Sequence, residues 1–238
     1  VLGLGNTLSG GIVPAAVASL DNNYSLEFDG SNDYVTMGDI DILDGQDTFT
    51  ISTWINLAAH PASGNRYVVI SKDNAYELYV RNYSDDIKIY LRLNNGTVDL
   101  TGATGIDVDT WYHVAAVHNS GGTDIYLNGS AIGSGLGSQI TVNNTSDAFV
   151  IGGRGSYDTN GLIDEVALWT TDLDAGAISA IYNSGTPTDL SGESNLVGYW
   201  RFEEGTGTTV ADDSSNSNTG TLTNQYPSPD IVWSSDTP

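Results

Sequence analysis

"WYHVAAVHNSGGTDIYLNGSAIG", residues 111–133, is the stretch whose reading decides the fold class. It holds two short β-runs, "WYHVAAVHN" and "TDIYLNG", and places Asn128-Gly129 before a third run. An Asn-Gly pair between two such runs predicts a type I′ hairpin turn, because both turn residues must take positive φ. The same rhythm continues outward in "YSLEFDG", "YVTMG", "FTISTWINL", "YVVISK", "YELYVRN", "IKIYLRLN", "AFVIGG" and "LIDEVALW". Short strands at this spacing, punctuated by Gly, Asn and Asp, predict an antiparallel β-sandwich. Alternation is plain at Ile87, Ile89, Leu91 and Leu93, which share one face, with Lys88 and Arg92 on the other. One helix is expected in "DAGAISAIYNSG", with Asp174 as N-cap, Ile178, Ile181 and Tyr182 on one side, and Gly185 ending it. "LVGYWRF" then resumes a strand, and a polar loop leads to "GTLTN" and a tail near Trp233.

Composition narrows the function. The chain has 238 residues, suited to one large all-β domain, with 30 Asp and Glu against seven Lys and Arg and a formal charge of −23. Such a field repels phosphate backbones and anionic membranes, so nucleic acid is excluded as a partner. The same carboxylates offer oxygen to a hard cation such as Ca²⁺. Cysteine is absent, which removes disulfides, thiolate metal sites and a Cys nucleophile. No apolar run approaches the roughly 18 residues of a membrane span, and the first residues lack the basic region of a signal peptide. Residues 1–20 are read as an uncharged Gly/Ala-rich arm that docks against its own domain, a neighbouring subunit by self-association, or a larger assembly, because an uncharged tail gains little from solvent. Residues 21–238 are expected to form one domain, with 195–233 closing the same sandwich.

Several ordered stretches resemble one family: "LEFDGSNDYV", "FTISTWI", "WYHVAAVHNSGGTDIYLNG", "FVIGGRGSYDTNGLIDEVALW", "LDAGAISAIYNSG" and "LVGYWRFEEGTGTTVADDSSNSNTGTL". Together, over about residues 24–233, they resemble the laminin G-like domains of the concanavalin A-like superfamily, common in bacterial and phage surface proteins. The resemblance implies an all-β jelly-roll sandwich of two antiparallel sheets, often with a structural Ca²⁺, serving in glycan or protein binding and adhesion. The opening "LGLGNTLSGG" is similar to the start of structural proteins of tailed phages, which implies that the arm docks on a capsid or fibre protein and places the domain on the virion surface. The alternative is an extracellular or cell-surface adhesion domain that recognises cell-surface glycans.

Strict alternation along "LIDEVALW" would send Leu162, Asp164, Val166 and Leu168 one way and Ile163, Glu165, Ala167 and Trp169 the other. Adjacent charges in an apolar strand therefore need a cation, a rim or a turn. By resemblance and by alternating oxygen donors, the expected calcium ligands are Asp33, Asp164, Asp212, Asn216 and Asn218, with Asp29 and Glu165 behind them. Neither loop has the terminal bidentate Glu of an EF-hand. Glucanase chemistry is not expected, because Glu27 and Asp29 are followed on their face by Ser31 where a third acid would stand. A retaining enzyme needs two carboxyls about 5–5.5 Å apart, and no motif supplies them. His113 and His118 fall on opposite strand faces and share no zinc spacing. The "IGGRG" around Arg154 is read as a turn. Among aromatic residues, Tyr83 and Tyr157 lie in loops and are the candidates to stack on a sugar.

Overall fold

In the computed structural model, residues 20–94, 96, 98–101, 105–153, 155–224 and 232–238 are described; residues 1–19 of the expected arm, and Arg154, lie outside them. The first strands are β1 (Ser25–Asp29), β2 (Asp33–Gly38), β3 (Phe49–Leu57), β4 (Arg66–Lys72), β5 (Tyr76–Tyr83) and β6 (Asp86–Leu93). β7 (Val98–Thr101), β8 (Trp111–Asn119), β9 (Gly122–Leu127), β10 (Ser130–Leu136), β11 (Phe149–Ile151) and β12 (Asn160–Trp169) follow. Helix α1 (Ala175–Tyr182) precedes β13 (Leu196–Trp200), β14 (Thr209–Val210), β15 (Gly220–Asn224) and β16 (Val232–Ser234).

These strands make a jelly-roll sandwich of two antiparallel sheets. The first runs β10-β9-β8-β3-β12-β1-β16, with β13 also paired to β12, and the second runs β14-β15-β2-β11-β4-β5-β6-β7. The segment after α1 therefore supplies strands to both sheets. The main core lies between them, where Leu26, Phe28, Ile51, Ile55, Phe149, Ile163 and Trp200 meet the inward Ile87, Ile89, Leu91 and Leu93. Burying a large aliphatic or aromatic side chain stabilises by about 1.5–3 kcal/mol, so this layer is the main stabilising term.

A second cluster covers the outer face of the first sheet. Ile178 and Ile181 of α1 pack there against Ala115, Val117, Tyr126, Ala167, Trp169 and Tyr199. The Asp174 side chain accepts the Ala177 N–H at 2.8 Å, as an N-cap should. The helix ends earlier than Gly185 predicted: Asn183 takes the left-handed conformation, φ 43°, and its N–H bonds Ser179 O. Asn tolerates that conformation because its short amide satisfies nearby backbone. The β9–β10 turn is as expected, with φ 49° at Asn128 and 72° at Gly129. A Cβ on Gly129 would stand 2.9 Å from the Tyr182 ring, so the turn and α1 constrain each other.

His113 and His118 are both buried and face opposite ways, His113 on Ser52 Oγ at 2.8 Å and His118 on Thr123 Oγ1 at 2.7 Å. Burial drives the His113 pKa down to about 3, so it is a neutral packing residue at ordinary pH. Lys72, on the core side of β4, is fully buried beside Asp44 at 2.8 Å, Asp39 at 3.1 Å and Asp41 at 3.4 Å. It rivets the 39–44 loop to the second sheet.

Candidate functional site

The residues expected to hold calcium fall in three separate places. Asp212 is occupied as a turn anchor: Oδ1 accepts from Tyr199 N and Ser214 N at 2.9 Å, and Oδ2 from Asn218 N at 2.8 Å. Asn216 and Asn218 both turn their amides to Val197 O. This loop closes on β13 through its own hydrogen bonds.

Asp164 and Glu165 depart from strict alternation. A bulge between Asp164 and Ala167 puts the strand out of step, and Glu165 has φ 49°. Ile163, Val166 and Leu168 then all face the main core, whereas alternation had set Ile163 opposite the other two. The two carboxylates occupy the bulge together, where the neighbour of β12 changes from β1 to β13. Asp164 accepts from Asn22 Nδ2 at 3.1 Å and from Glu165 N at 2.9 Å. Glu165 accepts a hydrogen bond from the Tyr199 hydroxyl and lies 3.5 Å from Arg201 Nε. Burial, and then the Glu165 charge, raise the Asp164 pKa well above the carboxylate range. Glu203 completes the latch by accepting from Asn23 N at 2.9 Å and Tyr24 N at 3.1 Å.

Asp29 and Asp33 meet a third carboxylate that motif reading missed. Asp158 Oδ2 accepts from Asn32 N at 2.8 Å, while Asp29 Oδ1 holds Ser31 N at 2.7 Å. Burial, with the charges of Asp29 and Asp158 adding to it, pushes the Asp33 pKa up to about 6. Asp33 and Asp158 are 1% and 5% exposed, and Oδ1 of each has no hydrogen-bond partner among the described residues. Asp158 lies 126 positions from Asn32, and no local pattern marks that meeting. Among the described residues, no three His, Cys, Asp or Glu side chains converge as a metal-holding group.

The outer face of β4–β6 gathers a second set of polar and aromatic side chains. Arg66, Glu77, Tyr79, Arg81, Lys88, Tyr90 and Arg92 lie there because their strand neighbours Tyr67, Val80, Ile87, Ile89 and Leu91 point into the core. Tyr79 and Tyr90 stack at 5.0 Å, and the Arg66 and Arg92 guanidiniums lie 5.2 and 5.5 Å from the Tyr79 centroid. Glu77 bridges the two arginines, 2.6 Å from Arg66 and 3.6 Å from Arg92. Tyr157 carries Arg66 over its ring at 3.9 Å. A recess of about 330 Å³ opens among Arg66, Ser71, Asn74, Glu77, Arg92 and Tyr157. Both sequence-predicted tyrosines belong to this face: Tyr157 at the recess, 37% exposed, and Tyr83 at the end of β5, 63% exposed beside Arg81. The arrangement can offer flat apolar rings beside charged donors and acceptors, the combination a hydroxyl-rich ligand requires.

A sandwich of two antiparallel sheets, one of them roofed by a helix, defines a β-jelly-roll domain. Residues 29–179 match the sequence model of the concanavalin A-like lectin/glucanases superfamily, laminin G-like branch, and the chain belongs to that family. In structure it is similar to a carbohydrate-binding protein of Bacteroides ovatus, with TM-score 0.68 and 17% identity over 90% of this chain and 62% of that one. It is also similar to the heptameric SAP-like pentraxin of Limulus polyphemus, with TM-score 0.55 and 20% identity over 71% and 88% of the two chains. Adhesion G-protein coupled receptor V1 of Danio rerio is 26% identical over 170 residues, 66% of this chain but 3% of that receptor. No described helix is long and apolar enough to cross a membrane.

Proposed function

We propose that this chain is a non-catalytic carbohydrate-binding module whose ligand lies across the outer face of β4–β6. The observation that carries the reading is the recess where the Tyr157 ring meets Arg66, Glu77 and Arg92. Tyr83 extends the same face along β5. Affinity electrophoresis through a panel of neutral and acidic polysaccharides tests it. Tyr157→Ala should weaken binding by about tenfold, equivalent to about 1.4 kcal/mol, with Tyr83→Ala acting in the same direction. Full retention in both variants would move the site elsewhere, and failure to bind any polysaccharide would sink the reading.

Calcium has its support in Asp33 and Asp158, whose buried Oδ1 atoms have no hydrogen-bond partner among the described residues. A cation there would draw its remaining ligands from backbone and water, since Ca²⁺ takes about six to eight oxygens. The melting temperature should rise with Ca²⁺ over EDTA in the unaltered chain and stay flat in Asp33→Asn. A flat response in both removes the metal. The assembly role expected of the arm, on a virion or cell surface, concerns residues 1–20, of which 1–19 lie outside the described residues. Deleting them should abolish particle association and spare glycan binding.

A further inference from the structure

Strand register brings three cations into one row on the open face. Arg66 on β4 is the direct partner of Arg81 on β5, and Arg81 is the direct partner of Lys88 on β6. Side chains directly opposite in an antiparallel pair lie about 4.5–5.5 Å apart at Cβ, and like charges placed so are destabilising. Arg66 is answered by Glu77 at 2.6 Å and Lys88 by Asp86 at 2.6 Å. Arg81, between them, makes no ion pair among the described residues and rests 5.8 Å from the Tyr83 ring centroid.

The composition sharpens the point. Arg66, Arg81, Lys88 and Arg92 are four of only seven Lys and Arg in a chain of formal charge −23. A protein so short of cations sets Arg81 opposite both Arg66 and Lys88 and, among the described residues, leaves it without an ion-pairing carboxylate. That cost is offset when an anion enters the row, since a guanidinium fork pairs with a carboxylate or sulfate through two parallel hydrogen bonds.

We propose that the ligand of this face is an acidic saccharide, bound by its carboxylate or sulfate at Arg66, Arg81 and Lys88 with a sugar ring against Tyr83. The proposal rests on the carbohydrate-binding reading and adds the chemical class. The overall negative charge of the chain opposes approach of a polyanion at long range, and salt screens that repulsion within about 10 Å at 0.1 M. A short oligosaccharide is therefore the fitting probe.

Calorimetric titration of the whole chain with trigalacturonate, a sulfated galactose trisaccharide and neutral galactotriose tests the proposal. An acidic ligand should bind at least about tenfold more tightly than galactotriose, and comparing the two acidic probes identifies the group preferred. Arg81→Gln should erase that preference and raise the melting temperature by relieving the row. Should Arg81→Gln instead lower both stability and neutral binding, Lys88→Gln decides, its side chain being 30% exposed. Loss of the acid preference in that variant supports the site, and its persistence overturns it. Equal affinity for acidic and neutral sugars overturns the acidic class while the module stands. No binding of any saccharide removes both.

Discussion

Asp164 is fully buried, and its oxygens meet Asn22 and the Glu165 N–H rather than a cationic side chain. Its folded pKa is raised by burial and by Glu165, and that of Glu165 is raised to about 7, chiefly by burial against the opposing help of Tyr199 and Arg201. A carboxyl with a raised folded pKa binds its proton more tightly in the native state than in the unfolded chain. The contribution of Glu165 to stability is therefore complete below the unfolded value near 4 and is lost as pH climbs through about 7, and that of Asp164 is lost in the same direction as pH rises. Asp164→Asn removes one charge while keeping a side chain that can meet Asn22. Its melting temperature should exceed that of the parent by a few degrees at pH 8 and match it at pH 4, about 2–4 °C representing each kcal/mol. Thermal scans across that range check the outcome, and an unchanged difference at both ends would contradict it.

At the scale of elements, β12 holds the first sheet together by changing partners. Below the bulge it pairs with β1, above it with β13, and along its other edge with β3 throughout. The close of β11 is as exacting: Gly152 has φ 92°, its N–H bonds Val69 O at 2.9 Å, and a Cβ there would stand 2.1 Å from the Phe28 ring. Gly152→Ala should cost about 2–3 kcal/mol, seen as a lower denaturation midpoint with an unchanged slope. Strand alternation at Ile87 to Leu93 and the Asn128-Gly129 turn were legible in the residues because both obey local periodic rules. The Asp164–Glu165 bulge was not, since one extra residue reverses every later side chain without leaving a compositional mark. Tyr157 could be picked out as a loop aromatic, whereas Tyr83, also read as a loop ring, is the last residue of β5, and the cation row between them left no local sign. Its register depends on a second irregularity, between Val68 and Ile70. The Asp33–Asp158 meeting was equally hidden, being long-range and free of any motif.

At the scale of the whole molecule, the two described ends meet at one corner. Thr237 Oγ1 donates to Asn22 O at 3.2 Å, Ser25 Oγ to Asp236 O at 2.7 Å, and Ser25, Leu26 and Glu27 pair with Ser234, Trp233 and Val232. The Asp164–Glu203 latch fastens residues 22–24 beside them. Because β1 and β16 are antiparallel and their outer ends are neighbours, tension applied between residues 20 and 238 would part their hydrogen bonds one after another. A shear geometry would load those bonds together; this corner opens like a zip. In single-molecule pulling from those two points, the first event should be a short, low-force release of β16 before the sandwich yields. Initial rupture of the whole domain at high force would contradict that order. A module hung in a chain under load from this corner would thus give slack early while its outer β4–β6 face remained intact.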